Sequence, residues 1–421
     1  MFGAPNPRSK LYTTFSAYTQ SLSAMMKSWQ NSDEWIENLE DTLTATYNVR
    51  HAIAMPMARV GIYSILKNLI RPGQKVILSP YTISDVVNMV LCAGGIPLFA
   101  DIEKGGSYNI DPRTVENLIS SNDDIGAVLV THFYGLACDI MPILDLCNSH
   151  GIPVVEDAAQ AFGTKVDRQL VGSIGHAGVF SFGLLKNITS FLGGAVLTSN
   201  GTLAEKIKAD IQDFLPFPPK ALLAKILKGA SFDIATSPLI FDMFVYWAFR
   251  YAYIHNLDFF KNKMDTDSNP VSYMNFPDKY RYRMWDVQGK IVLEQLPRID
   301  SDAAERIELA KIYDEGLKGL PEIVRPPLRT DGSHTYMYYP IHYRNRDALG
   351  QWMTKKFRDV QISHHRNCAS MPCFSSYYRE CPNAELAAQG VIYLPTYPGY
   401  GQDQAIKNIK SIHSYFRENR T

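Results

Sequence analysis

Residues 152–161 read IPVVEDAAQA, and residues 180–187, about one supersecondary unit further along the chain, read FSFGLLKN. The apolar run 152–155 is typical of a buried strand, which places Asp157 at the carboxyl end of that strand. Ligands of open α/β sheets bind at the carboxyl ends of the strands. A carboxylate buried there needs a cationic partner, because an isolated buried charge is costly. Lys186 is either that partner, in a direct salt bridge, or it acts with Asp157 on a ligand between them, such as a pyridine ring that carries a carbonyl.

Short apolar runs alternate with helix-like segments around this stretch. Strands are predicted at residues 76–79, 97–100, 127–131 and 152–155, and helices at 84–93, 112–119 and 141–150. Asp111 and Pro112 are typical of a helix start. Near-continuous apolar strands separated by helices indicate a parallel sheet that is covered on both faces. The sequence therefore predicts an α/β fold with a large, mostly parallel sheet domain covered by helices.

Two strands around Lys186 break this alternation. Residues 178–182 and 195–198 are strand-like, but the segment between them is too short for a crossover helix. We therefore expect these strands to be antiparallel neighbours, joined by the loop that carries Lys186.

The C-terminal part has a different pattern, which predicts a smaller α+β domain. A helix is predicted at residues 282–305, followed by a strand at 336–342 and helices at 346–357 and 404–416. The predicted organisation is an N-terminal segment at 1–50, a large domain at 51–290 and a small domain at 291–421.

Composition bounds the class of protein. The chain has 421 residues, of which 46% are hydrophobic and 20% charged, so a sizeable core is available and disorder is not expected. Lys and Arg together number 42, as do Asp and Glu, so net charge gives no reason to expect nucleic acid binding. The first residues contain no apolar signal core, and the six cysteines are sparse. A reducing cytoplasm is the expected location.

Residues 216–260 differ in composition from the rest of the large domain. They contain two helix-like segments, 221–227 and 241–253, and the second is rich in aromatic side chains. Asp242 and Arg250 leave too short an apolar run for a membrane-spanning helix. This insert either packs against a domain or subunit, as aromatic stripes usually do, or lies on a membrane surface as an amphipathic pair.

Histidine and cysteine side chains give two further candidates. His132 follows a predicted strand and is either a residue at the border of the site or a core or loop histidine. A metal interpretation is open for the sequence cluster His364, His365, Cys368, Cys373 and Cys381. Its spacing matches no tight zinc pair, so no metal site is predicted.

An ordered series of motifs resembles the DegT/DnrJ/EryC1/StrS family, whose members are mostly sugar aminotransferases. The family hallmark is an acidic residue followed by Asp-Ala-Ala-Gln-Ala, and then Phe-Ser-Phe, Lys-Asn and Gly-Gly. The matching stretches here are 156–161, 180–182, 186–187 and 193–194, with supporting matches at 72–77, 134–135, 283–288 and 394–395. One such motif alone would be weak evidence, whereas the ordered series is specific.

The resemblance implies a fold-type-I enzyme that uses pyridoxal 5′-phosphate (PLP). Lys186 would join the cofactor as a Schiff base, which requires a neutral amine and hence a lowered pKa. Asp157 would bond the pyridine nitrogen and keep it protonated. Gln160 would orient the ring, and Ser181 would donate to the phosphate. Iron–sulfur sugar deoxygenases of this superfamily carry histidine at the lysine position, so Lys186 argues against that branch.

The predicted phosphate site departs from the family pattern. Where the family usually has Ser-Gly-Thr at the start of a helix, residues 56–59 read Pro-Met-Ala-Arg. The backbone amides of Met57 and Ala58 can still donate to a phosphate, and Arg59 can supply charge.

Two further positions differ from the family. Arg281 replaces an asparagine that reaches the cofactor phosphate of the neighbouring subunit, and it is either a longer, charged replacement or a solvated surface residue. The aromatic residue that stacks on the ring aligns with Ile83, while Tyr81 lies two positions away. Tyr81 is therefore the candidate for that role.

By resemblance, the expected activity is amination of a keto-sugar nucleotide to an amino sugar, with glutamate as the amino donor and a homodimer as the active form. One alternative is another PLP reaction on the same scaffold, such as dehydration. Another is a non-catalytic homodimer that uses residues 216–260 to dock on a membrane or on a biosynthetic partner.

Overall fold

The strands of the protein form one large and several small sheets. The structure is a computed structural model, and it describes residues 5–11, 13–26, 33–255, 269–363 and 365–419. His364 and the last five residues of the predicted insert, 256–260, lie outside the described residues. Numbered along the chain, the strands are β1 His51–Met55, β2 Lys75–Leu78, β3 Tyr81–Thr82, β4 Ile96–Phe99, β5 Ile125–Thr131, β6 Val154–Asp157, β7 Lys165–Val166, β8 Gln169–Leu170, β9 Ala177–Ser181, β10 Gly194–Thr198, β11 Leu215–Pro216, β12 Tyr282–Arg283, β13 Tyr339–His342, β14 Gln361–Ile362, β15 Arg366–Asn367 and β16 Val391–Leu394.

The large sheet has the strand order β1-β10-β9-β6-β5-β2-β4. The five strands β9, β6, β5, β2 and β4 run parallel to one another. At the other edge, β10 is antiparallel to β9, and β1 is antiparallel to β10. The predicted antiparallel pair on either side of the Lys186 loop is therefore confirmed.

Helices cover both faces of this sheet. Numbered along the chain, the helices of the described residues are α1 Phe15–Met26, α2 Glu34–Tyr47, α3 Ala58–Leu69, α4 Ser84–Cys92, α5 Pro112–Ser120, α6 Ile140–Ser149, α7 Gly201–Ile211, α8 Pro219–Ala235, α9 Pro238–Ile240, α10 Tyr246–Ile254, α11 Asp286–Leu293, α12 Ile299–Leu317, α13 Arg346–Lys355, α14 Pro382–Gly390 and α15 Gln402–Glu418. The successive β2 residues Ile77 and Leu78 belong to different core clusters, one with α5 and α6 and the other with α3 and α4. The sheet is thus buried on both sides, and the predicted α/β architecture is confirmed.

The start of α5 shows how local sequence sets an element. Asp111 precedes the helix, and its Oδ1 accepts a hydrogen bond from the Arg113 amide at 2.9 Å. Pro112 occupies the first turn, where its missing N–H costs nothing. The predicted cap is confirmed.

The prediction of one continuous helix at residues 282–305 is wrong. Residues 282–283 form strand β12, and α11 ends at Leu293 before a 3₁₀ turn, Leu296–Arg298. Pro297 lacks the N–H that a continuing α-helix would need, so the chain tightens there and restarts as α12 at Ile299.

The small sheet, β13-β16-β14, packs against α12, α13 and α15. Part of the predicted small domain instead joins the core of the large sheet. Strand β15 pairs with β3, and Phe374 and Ala384 are buried in the same cluster as α3 and α4. The boundaries at 50 and 290 stay a prediction, and α11 runs across the second of them.

The insert is helical in its described part, as predicted. Helix α8 is followed by α9, by a π-helical turn at Phe241–Val245, and by α10. The Tyr246 hydroxyl on α10 donates to the Thr354 carbonyl on α13 at 3.0 Å. None of the helices described is both long and apolar enough to cross a membrane.

Candidate active site

Asp157 is the last residue of β6, at the carboxyl edge of the large sheet, as predicted. Its side chain is 6% exposed, and Oδ1 accepts a hydrogen bond from the Ala159 amide at 3.1 Å. Across the described ranges, no protein donor reaches Oδ2. Burial raises the pKa of this carboxyl above its ordinary value, and the Ala159 amide and the Lys186 charge oppose that rise. A buried carboxylate oxygen without a protein partner needs a cationic or N–H ligand.

Lys186 lies in the loop between β9 and β10 and is partly exposed. Burial is the main cause that lowers the pKa of its amine to about 8; Asp157 counteracts the fall and Arg59 adds to it. Within the chain as described, Nζ forms no ion pair or hydrogen bond. The direct Asp157–Lys186 salt bridge, one of the two interpretations of the sequence, is therefore not formed. The two groups influence each other electrostatically.

Ser181, Met57 and Ala58 meet beside Lys186. Ser181 ends β9 and pairs with Gly194 of β10, and the backbone of Met57 bridges to Gly193. A Cβ built on Gly194 would lie 2.9 Å from the Ala58 amide nitrogen and 2.5 Å from the Phe180 carbonyl oxygen. Because residue 194 is glycine, the start of helix α3 can approach strand β10 closely, next to Ser181 of β9.

Glycine also links Ser181 to Lys186. A Cβ on Gly183 would lie 3.5 Å from Ser181 Oγ and 3.9 Å from Lys186 Cγ, so both side chains flank the same point. At the start of α3, Met57 offers no side-chain cap. The first amides of a helix lack partners in the helix itself, so a helix start beside Ser181 is a place where an anion can bind.

Arg59 was expected to supply positive charge to a phosphate, but much of that charge is paired within the chain. Its guanidinium forms an ion pair with Asp85 and donates to the Tyr280 hydroxyl at 3.2 Å. Asp85 also accepts a hydrogen bond from the Tyr273 hydroxyl at 2.7 Å. Asp85 was missed by the sequence analysis. Its position in the first turn of α4 was visible, but nothing in the sequence pairs it with Arg59.

Gln160 lies in a buried network of polar aromatic side chains. Its Oε1 accepts a hydrogen bond from the Tyr134 amide at 3.0 Å, and its Nε2 lies 3.4 Å from Nε2 of His365. His365 Nδ1 in turn lies 2.8 Å from the Tyr393 hydroxyl. The amide plane of Gln160 is therefore held from two sides.

Tyr81 belongs to the same network and is fully buried. Its hydroxyl is 2.9 Å from those of both Tyr134 and Ser363. The structure thus connects Tyr81 to Gln160 through Tyr134. Its role in stacking on a cofactor ring stays a prediction.

Arg281 follows the short turn Asp278–Tyr280 and is half-exposed. Its Nε lies 3.2 Å from the exposed carboxylate of Asp278, and its guanidinium lies 5.5 Å from the centre of the Phe276 ring. Phe276 stacks on Tyr63 of α3, with ring centres 4.0 Å apart. Arg281 is therefore near the helix that begins at the phosphate site, and both interpretations of it remain open.

His132 lies behind the site as a core histidine. It is fully buried, and its Nε2 lies 3.0 Å from Oε2 of the equally buried Glu156. Nδ1 accepts a hydrogen bond from the Cys138 amide, so Nε2 carries the proton that is donated to Glu156. Glu156 also accepts hydrogen bonds from the amides of Gly172, Ile174 and Gly175 at 2.6 to 2.7 Å. This pair braces the strand end that presents Asp157.

Asn187 is a second residue that the sequence analysis did not single out by role. It is buried next to Lys186, and its Oδ1 has no partner in the described part of the chain. It lines a cleft with about 300 Å³ of empty space, together with Arg8 and Lys10 of the N-terminal segment. Arg8 is held in place there by Asp359, through hydrogen bonds of 2.7 Å from its Nε and its backbone amide.

The histidine and cysteine cluster does not assemble. His365 belongs to the Gln160 network, whereas Cys368 and Cys381 are buried in the core beside α4. No group of three potential metal ligands occurs among the residues that the structure describes, a set that lacks His364.

The residues present fit PLP. A buried carboxylate with one unpartnered oxygen suits a protonated pyridine nitrogen, and a lysine with a pKa near 8 suits an aldehyde. Helix amides beside Ser181, with glycines that permit close approach, suit a phosphate.

Comparison with known proteins agrees with this chemistry. The spore coat polysaccharide biosynthesis protein SpsC of Bacillus subtilis is 26% identical over 398 residues, which cover 91% of this chain and 90% of that protein. GDP-perosamine synthase of Vibrio cholerae is 26% identical over 411 residues, covering 92% and 93%. Helicobacter pylori PseC, an aminotransferase involved in the biosynthesis of pseudoaminic acid, has the same fold, with a TM-score of 0.75 at 19% identity over 98% of this chain and 100% of that chain.

A family model for DegT/DnrJ/EryC1/StrS aminotransferases matches residues 16–213 and 260–413. The part between these ranges, 214–259, corresponds closely to the predicted insert. The predictions of the fold-type-I class, of PLP as cofactor and of an aminotransferase are confirmed. Because the family model spans most of the chain, the protein belongs to the DegT/DnrJ/EryC1/StrS aminotransferase family, which uses pyridoxal phosphate.

Proposed function

We propose that this aminotransferase converts a keto-sugar nucleotide to an amino sugar, with glutamate as the amino donor. The observation that carries the proposal is the pair Asp157 and Lys186, whose charges act on each other while Oδ2 and Nζ have no hydrogen-bond partner among the described residues. A nucleotide-linked sugar is supported by the relatives, one of which is a GDP-perosamine synthase and another a protein of spore coat polysaccharide biosynthesis. We expect the enzyme to act in the cytoplasm.

When bound, PLP supplies a ring that takes up negative charge from the reacting carbon. Lys186 is the residue that holds and moves the proton. With a pKa of about 8, roughly a tenth of its amines are neutral at pH 7, whereas an ordinary lysine would be almost entirely charged. A neutral Nζ can attack a carbonyl and, once released, can carry a proton to and from the substrate carbon.

Asp157 is proposed to hold the proton at the pyridine nitrogen. Without a partner, burial favours its neutral form. A cation at Oδ2 would reverse that preference, because an opposite charge stabilises the carboxylate. The Glu156–His132 pair behind it fixes the end of β6, so Asp157 keeps its direction.

The phosphate is proposed to bind Ser181 and the amides of Met57 and Ala58. Arg59 contributes to the local potential, as its effect on Lys186 shows, but Asp85 offsets much of its charge. The backbone amides therefore carry more of the binding than the arginine.

A homodimer is proposed as the active form. Val271 and Met274, in the same segment as Arg281, expose 59% and 65% of their surface. That segment is held by Asn88 of α4, whose side chain bonds the backbone of Val271 and Tyr273. Exposed apolar side chains beside a half-exposed arginine are typical of a subunit interface.

The test combines cofactor loading with product analysis. Purified enzyme incubated with PLP should gain a visible absorption band that the Lys186→Ala variant lacks. Loaded enzyme given glutamate and a nucleotide-linked keto sugar should form 2-oxoglutarate and amino sugar in equal amounts. A deoxygenated keto sugar formed together with free ammonia and 2-oxoglutarate, in place of an amino sugar, would establish dehydration instead. A protein that binds no PLP would contradict the assignment of the site.

A further inference from the structure

Arg59 places a positive charge in the first turn of helix α3, beside the proposed phosphate site. The helix begins at Ala58 and is preceded by Met57, so Arg59 is its second residue. Its charge reaches the site, because it helps to lower the pKa of Lys186. The N-terminal end of a helix carries a partial positive charge from the helix dipole, so a cation there is unfavourable. Arg59 therefore needs a compensating negative charge.

Asp85, in the first turn of α4, supplies that negative charge. Its Oδ2 forms an ion pair with Arg59 Nη1, which also donates to the Tyr280 hydroxyl at 3.2 Å. Its Oδ1 accepts a hydrogen bond from the Tyr273 hydroxyl at 2.7 Å. In the part of the chain that the structure describes, no other carboxylate lies within ion-pairing distance of Arg59. The Asp85 carboxylate is thus held through both of its oxygens, with one of them against the guanidinium.

The Arg59–Asp85 pair is partly buried. The exposed fraction is 31% for the Arg59 side chain and 26% for the Asp85 side chain. The guanidinium also lies 5.6 Å from the centre of the Tyr280 ring. Salt screens partly buried charges much less than exposed ones. The two charges therefore act on each other, and on an anion beside them, at ordinary ionic strength.

An ion pair at the other end of the same helix offers a comparison. Lys67, in the last turn of α3, pairs with Asp210 of α7 at 2.5 Å. It lies eight residues beyond Arg59, which is about 12 Å along the helix axis. The helix dipole favours a cation in the last turn, so Lys67 has no need of an acid to compensate it. The Lys67–Asp210 pair is therefore a matched control that lies away from the proposed phosphate site.

A phosphate at the start of α3 would be attracted by Arg59 and repelled by Asp85. Because the two side chains are in contact, both would act on the phosphate over comparable distances. Asp85 would then cancel part of the attraction that Arg59 contributes. A neutral side chain at residue 85 would leave the attraction in place, and the phosphate would bind more tightly.

We propose that Asp85 is a positioning residue that sets the affinity of the cofactor site, because it holds the Arg59 guanidinium and weakens binding of the PLP phosphate. This role rests on the proposed function, in which the phosphate binds beside Ser181 and the amides of Met57 and Ala58. The affinity for PLP then depends on the pair rather than on Arg59 alone. A site weakened in this way releases its cofactor more readily than one with an uncompensated arginine.

The experiment compares PLP with pyridoxal, which has the same ring and aldehyde but no phosphate. Dissociation constants of both are measured by absorbance on enzyme stripped of PLP, and the ratio of the pyridoxal to the PLP constant isolates the phosphate. A change at Lys186 affects both ligands and cancels in that ratio. Asp85→Asn should raise the ratio about fivefold or more, the scale of one charge contact near a protein surface. Asp85→Ser, a second neutral variant, should do the same.

Inorganic phosphate provides an independent measurement. It competes with PLP for the phosphate site of the stripped enzyme and should slow PLP loading. The phosphate concentration that halves the loading rate should fall about fivefold or more in Asp85→Asn, for the same electrostatic reason.

A double-mutant cycle shows whether the gain acts through Arg59. In an Arg59→Gln background, Asp85→Asn should change the ratio less than about twofold. Asp210→Asn removes the acid from the control pair, and Tyr273→Phe removes a contact of Asp85 but not its charge. Both variants should stay within about twofold of the wild-type ratio.

Ser181→Ala separates a failure of this role from a failure of the proposed phosphate site. A ratio that Ser181→Ala leaves unchanged would contradict the placement of the phosphate itself. Where Ser181→Ala lowers the ratio, two results would overturn the role of Asp85. One is a ratio for Asp85→Asn and Asp85→Ser that is no higher than that of wild type, and the other is a gain that persists in the Arg59→Gln background.

Discussion

At the residue scale, the site depends on two groups that are buried or partly buried without a protein partner for their reactive atoms. Asp157 Oδ2 and Lys186 Nζ are each left unsatisfied by the chain as described, although the two side chains influence each other's pKa. Ionisable groups with shifted pKa values and no protein partner are typical of sites that a ligand completes. A bound cofactor would therefore supply the partners that these two atoms lack in the apo protein.

Removing the charge of Asp157 tests its role at the ring nitrogen. The Asp157→Asn variant keeps the size of the side chain but cannot stabilise a protonated pyridine. We expect kcat to fall by about 10² or more, the scale of losing one electrostatic contact in the transition state. Transamination kinetics measure the fall, and Asp139→Asn, at an exposed position, is the control. Retention of full activity would show that another group holds the ring nitrogen.

The lowered pKa of Lys186 predicts a pH profile for cofactor loading. Only the neutral amine attacks an aldehyde, so the loading rate of apo enzyme should rise about tenfold per pH unit below pH 8 and level off above it. Stopped-flow absorbance across pH 6 to 10 measures this rate. A lysine with its ordinary pKa would give a rate that keeps rising to pH 10, which contradicts the buried environment.

At the scale of elements, one buried, hydrogen-bonded carboxylate holds the ends of two strands and a loop together. Glu156 joins β6 to His132, just past the end of β5, and to the amides of Gly172, Ile174 and Gly175. The pair lies directly behind Asp157, so the stability of these elements and the direction of the catalytic carboxylate are linked.

Glu156→Ala should be strongly destabilising. It leaves the His132 Nε2–H and the amides of Gly172, Ile174 and Gly175 without their acceptor, and a buried donor left unsatisfied costs about 1–3 kcal/mol, so we expect the free energy of unfolding to fall by about 3 kcal/mol or more. Urea unfolding of the apo protein measures this loss. Glu322→Ala, at an exposed position, should change the free energy of unfolding by less than about 0.5 kcal/mol. An equally small effect at Glu156 would mean that the loop is held by other contacts.

Close approach of a strand and a helix start makes Gly194 a second element-scale test. An added methyl group would meet backbone atoms of Phe180 and Ala58 rather than a flexible side chain. Gly194→Ala should therefore destabilise the fold by about 1–3 kcal/mol and weaken PLP binding by displacing the helix amides. Gly319→Ala is the control, because nothing lies within 4 Å of its added Cβ. Equilibrium dialysis with PLP shows whether the two effects occur together.

At the scale of the whole molecule, the open question is whether Arg281 acts on its own subunit or on a partner. Its half-exposed side chain has an exposed Asp278 as its ion-pair partner, and such a pair contributes little. Breaking this pair therefore costs little free energy, so the Arg281 side chain can extend across a subunit interface.

Mixing two inactive variants tests this directly. Lys186→Ala and Arg281→Ala subunits are unfolded and refolded together, at a PLP concentration that does not saturate Arg281→Ala alone. If Arg281 serves the partner, a mixed dimer contains one intact site, and activity should return to roughly a quarter of the wild-type level. Activity no higher than that of the separate variants would contradict a role of Arg281 in the site of the partner subunit.

The sequence by itself determined the parts that depend on local order. The alternation of apolar strands and helices predicts the parallel sheet. Each strand of such a sheet is buried on both faces, and it is therefore a near-continuous run of apolar residues. Asp157 and Lys186 could be identified because both belong to short motifs that occur in a set order. The helix cap at Asp111 could also be predicted, because it depends only on the residues of the adjoining helical turn.

Only the tertiary structure decided which distant groups meet. The Arg59–Asp85 pair, the network from Gln160 through His365 to Tyr393, and the joining of residues around Phe374 to the large core all bring together residues far apart in sequence. Such contacts leave no periodic signal in the chain, since they depend on how packed elements pass each other. The same holds for the insert: its helices could be predicted from composition, but only packing showed which face Tyr246 buries and which apolar face is left exposed.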